Sequence, residues 1–398
     1  MNKPEVTGVA PSLVERAKAL APLITQEADE IERTRRLTPA VVSALVENGL
    51  YRSLLPKSIG GFEAPPTVFM EMLEEIAKAD ASTAWCIAQT SVCSTLSVAL
   101  RPHIAAEIFK KNPRGVLAWG PSTTPGTKAI AETGGYRVTG AWPFASGSRH
   151  ATWLAAHAPV CEPDGQPRRD AGGNPVLKTF VVPRESATIR DTWQVIGLKG
   201  TGSDTYAVTD LFVPDDRTVA HHGLDPAERR EHGPLYAFTI YQLFGSSFPA
   251  IALGIARATL DAFVELARTK TPANAKSLLR DNAVVQSQVG VAESQLAAAR
   301  AFFFAAWEEI WQAAQAGTVT VEQRVRLRMA SIHASQQARQ VVDTAYLAAG
   351  ATAIFESNPF ERRFRDMHAV SQQAQAQFSI FEAIGQYFLG LPPNTRLF

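Results

Sequence analysis

Eight histidines and three cysteines are the residues best equipped for metal binding and acid–base work, and their spacing decides whether they act together. No histidines fall at zinc-ligand spacing, and the adjacent His221 and His222 sit in a charged stretch that reads as solvated surface. The inward-facing Glu-x-x-His turns of a di-iron bundle do not occur, so no metal is expected. There is no G-x-S-x-G elbow for a nucleophilic serine and no G-x-x-x-x-G-K-S/T loop for a nucleoside triphosphate. GTGSDT at Gly200 to Thr205 has two of the glycines of a dinucleotide loop, but it runs into the β-pattern TYAVTDLFV rather than a helix. It reads as a turn. Cys86, Cys93 and Cys161 are an odd number, which argues against a disulfide framework and for a reducing, cytoplasmic setting. The first residues, MNKPEVTGVAPSLVERAKAL, lack the basic-then-apolar order of a secretory leader.

Composition narrows the partners. In 398 residues, 39 basic side chains face 38 acidic ones, which gives a net charge of +1 and no electrostatic footprint for nucleic acid or an acidic membrane. A small-molecule partner is expected. Residues 81–100 and 234–256 are uncharged, but the first contains eight Ser, Thr or Gln and the second is broken by Gln242, Gly245, Ser246, Ser247 and Pro249. Both read as buried helix rather than membrane spans.

The elements that must position any site fall into three regions. Residues 1–113 carry helical punctuation, such as Thr38 before Pro39 and Gly49 after VVSALVENGL, with further helices over Pro66 to Ala79 and Ser82 to Val98. Residues 114–232 change to short β-rich runs separated by Gly, Pro and Asp, the pattern of an antiparallel β domain. Residues 233–398 return to long helical patterns over Ile251 to Thr269, Ala283 to Ala314, Val321 to Ala349 and after Pro359, which predict a four-helix bundle. The fold class expected is therefore α+β and multidomain.

Three segments stand out within this layout: GGYRVTGAWPFASGSRHATW at Gly134 to Trp153, TWQVIGLKGTGSDTYAVTDLFVP at Thr192 to Pro214, and NPFERRFRDMHAVSQQ at Asn358 to Gln373. In this order and with this helix, β, helix arrangement, the chain resembles the acyl-CoA dehydrogenase superfamily over nearly its whole length. The W-P-F-A-S-G run is similar to the oxygenase components of two-component flavin monooxygenases, such as the dibenzothiophene monooxygenases and para-hydroxyphenylacetate hydroxylases. That resemblance implies reduced FMN or FAD delivered by a separate NAD(P)H-dependent flavin reductase, reaction with O2 through a flavin C4a-hydroperoxide, and transfer of one oxygen atom to a small aromatic or heteroaromatic substrate. It also implies a homotetramer, for which the apolar faces of Ile251 to Leu266 and Ala297 to Ile310 would supply surface.

The same resemblance assigns residues. Ser146 falls at the flavin N5 edge, Trp193 against the isoalloxazine, and Trp119 beside the cofactor. Arg268 falls where a bundle arginine can reach the flavin phosphate of a neighbouring subunit, and Gly350 and Thr352 where a loop passes the flavin tail. Trp85, Gln89 and Thr90 lie on the uncharged helix that would line the substrate side. A dehydrogenase would want a carboxylate base about eight residues after the Arg365–Asp366 pair, and that position is Ala374; the nearest acids are Glu361 and Glu382. An acyl-CoA dehydrogenase or related flavin oxidase is thus the alternative enzyme. Where many relatives carry a histidine, this chain has Gln372 or Gln373, with His368 nearby as the other candidate base. A carboxamide orients a neutral N–H or carbonyl but takes no proton, so an indole-like ring is favoured over a phenol.

Overall fold

The computed structural model describes residues 11–121, 123–221, 226–273, 275–394 and 398; His222 and the first ten residues lie outside them. Helices α1 (Leu13–Thr34), α2 (Pro39–Glu47), α3 (Pro66–Ala79) and α4 (Ala81–Ser94) form the first region, followed by the short α5 (Pro102–Ala105). Their starts are set by caps visible in the sequence. Thr38 accepts from the Val41 amide ahead of Pro39, and Asp80 ends α3 while its carboxylate accepts from Thr83 to begin α4. α4 has no charged residue because it runs through the interior, with Trp85 and Gln89 alone half-open on it.

Eight strands follow: β1 (Leu117–Ala118), β2 (Lys128–Glu132), β3 (Gly135–Ala145), β4 (Trp153–Cys161), β5 (Leu177–Pro183), β6 (Thr188–Arg190), β7 (Asp204–Pro214) and β8 (Thr218–Ala220). The order is β6-β7-β3-β2-β4-β5-β8, with β1 beside β4. Most pairs are antiparallel as expected, but β1 and β2 each run parallel to β4. The reason is topological: β3 reverses β2, β4 reverses again, and β4 docks beside β2 instead of β3. β3 and β7 slip register between Trp142 and Ala145, where Phe144 takes a φ of 61°.

The last region contains α6 (Ile240–Thr269), α7 (Ala283–Gln315), α8 (Val321–Ala349), α9 (Pro359–Val370) and α10 (Ile380–Phe388). α6 starts at Ile240 rather than Ile251, because Thr239 and Gln242 form a capping box and the interrupting Gly245, Ser246, Ser247 and Pro249 are carried inside the helix. α8 packs along α6 and α7, α9 closes on α6 and α8, and α3 and α4 pack against α6. One continuous core joins helices, sheet and bundle. The faces expected to bury surface between subunits are consumed here instead: Ile251, Leu260 and Phe263 of α6, and Phe303, Trp307 and Ile310 of α7, lie inside the chain's own core. Among the described residues, no helix is long and apolar enough to cross a membrane.

Candidate active site

Trp85 and Gln89 are four residues apart and so share one face of α4, the face left partly open. The Trp85 ring stacks on Phe248 of α6 at 4.3 Å, and its Nε1–H donates to Ser146 Oγ at 3.0 Å. Phe248 continues into Phe244, and Phe244 meets the edge of Trp119, which in turn meets His157. An aromatic row thus runs from the end of β1, across α6, to α4, and places Trp119, Trp85 and Ser146 at one junction of the three regions. Phe244 and Phe248 lay in a stretch that the sequence marks only as uncharged.

Ser146 follows the bulged end of β3 and is buried. Its hydroxyl meets Ser203 Oγ at 2.6 Å, Ser203 meets Thr201 Oγ1 at 2.7 Å, and Thr201 donates to the Leu198 carbonyl at 2.8 Å. Thr201 and Ser203 belong to the GTGSDT segment, which is a turn as expected but not an idle one. Trp193 Nε1–H donates to the same Leu198 carbonyl at 3.0 Å, and its ring faces the edge of Phe144.

This loop is held from several sides. Asp204, fully buried, accepts from the Thr192 and Trp193 amides and pairs with Arg149. Arg35 grips Asp191 with both nitrogens and donates to the Trp193 carbonyl. Asp366 of α9 accepts from the Leu198 amide at 2.6 Å. Burial, and then the neighbouring Asp80, push the Asp366 carboxyl up to about 7. Of the five non-glycine residues with positive φ among the described residues, Arg35, Phe144 and Leu198 all lie in this assembly. Left-handed backbone at such residues costs about 1–3 kcal/mol each and persists where surrounding structure fixes it.

The remaining residues expected from sequence fall elsewhere. Arg268, 60% exposed, contacts Glu265, and the residue that reaches the Gly350 turn is Lys270. Lys270 Nζ donates to the Ala349 carbonyl and to Thr352 Oγ1, both at 2.7 Å. His368 pairs with Asp343 at 2.9 Å and packs on Phe364, along the seam of α8 and α9. Among the described residues, no hydrogen bond or ring contact is recorded between it and Trp85 or Ser146. Gln372 is exposed, whereas Gln373 is turned inward: its oxygen accepts from the Gln375 amide and its Nε2 is buried without a partner. The acids that a dehydrogenase reading would need are not poised as bases. Glu361 is tied to Arg365, and Glu382 is exposed on α10.

Comparison with known proteins agrees with this architecture. The family models described as acyl-CoA dehydrogenase, N-terminal domain and C-terminal domain match residues 15–100 and 246–378. The chain is 31% identical over 365 residues to indole-3-acetate monooxygenase of Pseudomonas putida, covering 92% of this chain and 90% of that protein. It is also 31% identical to the oxygenase subunit HsaA of a flavin-dependent monooxygenase of Rhodococcus jostii, over 89% of this chain and 92% of that one. The chain belongs to the flavin-dependent monooxygenases of the acyl-CoA dehydrogenase fold. It is an oxygenase component of that class. Among solved structures, XiaF from a Streptomyces species, in complex with FADH2 and glycerol, superposes with a TM-score of 0.87 at 26% identity, covering 96% of each chain. The HsaA monooxygenase of Mycobacterium tuberculosis superposes with a TM-score of 0.86 at 26% identity, covering 97% of this chain and 99% of that one.

The residues present fit a flat, partly polar ring. Phe144 is 57% exposed and Ile196 68% exposed, although both belong to a loop system that is otherwise tightly anchored. With the half-open Trp193 they offer apolar walls next to a hydroxyl, and, after α9, Gln373 has a buried amide nitrogen with no hydrogen-bond partner among the described residues.

Proposed function

We propose that this oxygenase component takes reduced FMN or FAD from a separate NAD(P)H-dependent flavin reductase and oxygenates a small, neutral, electron-rich aromatic or heteroaromatic ring, with indole-like compounds as the model class. Bound reduced flavin supplies the electrons with which O2 is split into a transferable oxygen atom and water. The observation that carries the substrate reading is the chemistry along the Trp85–Ser146 contact: Trp85, Gln89, Ser146, Ser203 and Thr201 carry no side chain that titrates near neutral pH, and Asp366 reaches this hydroxyl chain only through the Leu198 backbone. They orient and exclude water but take no proton, which suits a ring that reacts without being deprotonated. In this reading Trp85, Gln89 and Gln373 hold the substrate. Ser146, Trp119, Trp193 and Phe144 hold the flavin ring, and Lys270 joins Arg268, Gly350 and Thr352 at the flavin tail. The three buried, unpaired cysteines suit a cytoplasmic setting, and the division at 113/114 and 232/233 marks helical, β and bundle regions.

Coupled turnover on matched phenol and indole panels tests the reading, with the reductase and NADH supplied. Indoles are expected to be oxygenated faster, with His368→Ala nearly unchanged. A preference for phenols that collapses in His368→Ala would overturn it and make His368 the base.

A further inference from the structure

Ser146 sits at one end of a chain of hydroxyls whose direction can be worked out from its other end. A carbonyl oxygen only accepts, so the 2.8 Å contact between Thr201 Oγ1 and the Leu198 carbonyl commits the single Thr201 proton to Leu198. Thr201 therefore meets Ser203 as an acceptor at 2.7 Å, and the Ser203 proton points to Thr201. Ser203 then meets Ser146 as an acceptor at 2.6 Å, which takes the Ser146 proton. An indole nitrogen only donates, so Trp85 fills one Ser146 lone pair at 3.0 Å. What remains on Ser146 is one lone pair and no proton.

We propose that Thr201 and Ser203 are positioning residues that fix Ser146 as a pure hydrogen-bond acceptor, and thereby make the site select reduced over oxidised flavin. The inference rests on the reading that Ser146 faces the flavin N5 edge. Reduced flavin carries N5–H and donates to the free lone pair. Oxidised flavin presents a bare N5 lone pair, which meets another lone pair and gains nothing. The direction of the chain is anchored at the end opposite Ser146, because Leu198 itself is held by Asp366 and receives Trp193 on the same carbonyl.

Removing the chain's terminus reverses it. In Thr201→Val the Ser203 proton loses its acceptor and turns to Ser146, whose two lone pairs are then filled by Trp85 and Ser203. Its own proton is released toward the flavin edge, where it suits oxidised N5. In Ser203→Ala the Ser146 hydroxyl becomes a free rotor. Thr201→Ser keeps the hydroxyl and restores the original direction.

The test is anaerobic equilibrium dialysis of the full-length protein against FMN and FAD, each oxidised and dithionite-reduced. The ratio of the oxidised to the reduced Kd is compared among variants that melt with the wild type. The wild type is expected to favour the reduced form. The ratio should fall about tenfold or more in Thr201→Val, the weight of one net hydrogen bond, less in Ser203→Ala, and stay at the wild-type value in Thr201→Ser. Where Thr201→Val fails to fold, Ser203→Ala against the wild type decides. An unchanged ratio in Thr201→Val or Ser203→Ala, together with a lowered ratio in Ser146→Ala, overturns the role of the chain while leaving Ser146 at the flavin. An unchanged ratio in Ser146→Ala as well overturns the placement of Ser146 and the inference with it.

Discussion

Ser146 and Lys270 are the two side chains on which most of the functional reading turns, and each gives a measurable expectation. Ser146→Ala keeps the β3 bulge but strands the Trp85 indole N–H and removes one bond at the flavin edge, a loss of about 1–3 kcal/mol. The expected result is uncoupling, read as more hydrogen peroxide released per NADH consumed; unchanged coupling would return Ser146 to the role of a turn residue. Lys270 both caps the end of α8 and offers its ammonium beside the Gly350 turn. Lys270→Met is expected to weaken FMN binding at least tenfold while leaving riboflavin, which lacks the phosphate, nearly unaffected. Equal weakening of both would assign Lys270 to α8 alone. Arg268, expected to reach a neighbouring subunit's cofactor, is exposed and pairs with Glu265 within its own subunit.

At the scale of elements, the turn from Leu198 to Ser203 depends on a buried acid of α9. Well below pH 3.8, its ordinary value, the Asp366 carboxyl is protonated in both folded and unfolded chains. As pH rises toward 7 the unfolded chain ionises first, so the fold loses stability over that window and changes no further above it. Asp366→Asn keeps an oxygen for the Leu198 amide and removes the titration. It should be more stable than wild type at pH 8, by about 2–4 kcal/mol, and equal to it well below pH 3.8. Chemical denaturation across this range checks the sign, and a difference that shrinks with rising pH would refute it. Much of this scale was legible from the sequence. Thr38 with Pro39 and Pro66 mark helix starts by local chemistry, whereas the Asp80 cap that starts α4 at Ala81 was not read from the sequence. What sequence could not show was pairing across the chain. Ser203 lies in a segment legible only as a turn, and its partner Ser146 is far away in sequence, so neither spacing nor periodicity links them. Gln372 and Gln373 were equivalent on paper, and only the turn after α9 separates the exposed one from the inward one.

For the whole molecule, the apolar surface that the fold leaves open is what a second copy of the chain could cover. The faces of α6 and α7 singled out from sequence are occupied internally, whereas Leu347, Ile354 and Phe355 stand exposed around the end of α8, and Val284 and Val291 along the start of α7. We propose that the chain assembles as a homotetramer and that these residues form its contacts. Light scattering should give four times the 43.1 kDa subunit mass for the wild type and a smaller species for Leu347→Glu with Phe355→Glu. A flavin-competent wild-type monomer would refute the assembly.

The aromatic row and the anchored turn also have a consequence for biosynthesis. Trp85 emerges from the ribosome early, yet its stacking partner Phe248 and the Asp366 anchor of the Leu198 turn are among the later residues to appear. Of the first four helices α3 and α4 pack on α6, so the core they share stays incomplete until α6 has been made. The junction proposed to hold flavin is therefore completed only when α6 and α9 are both in place.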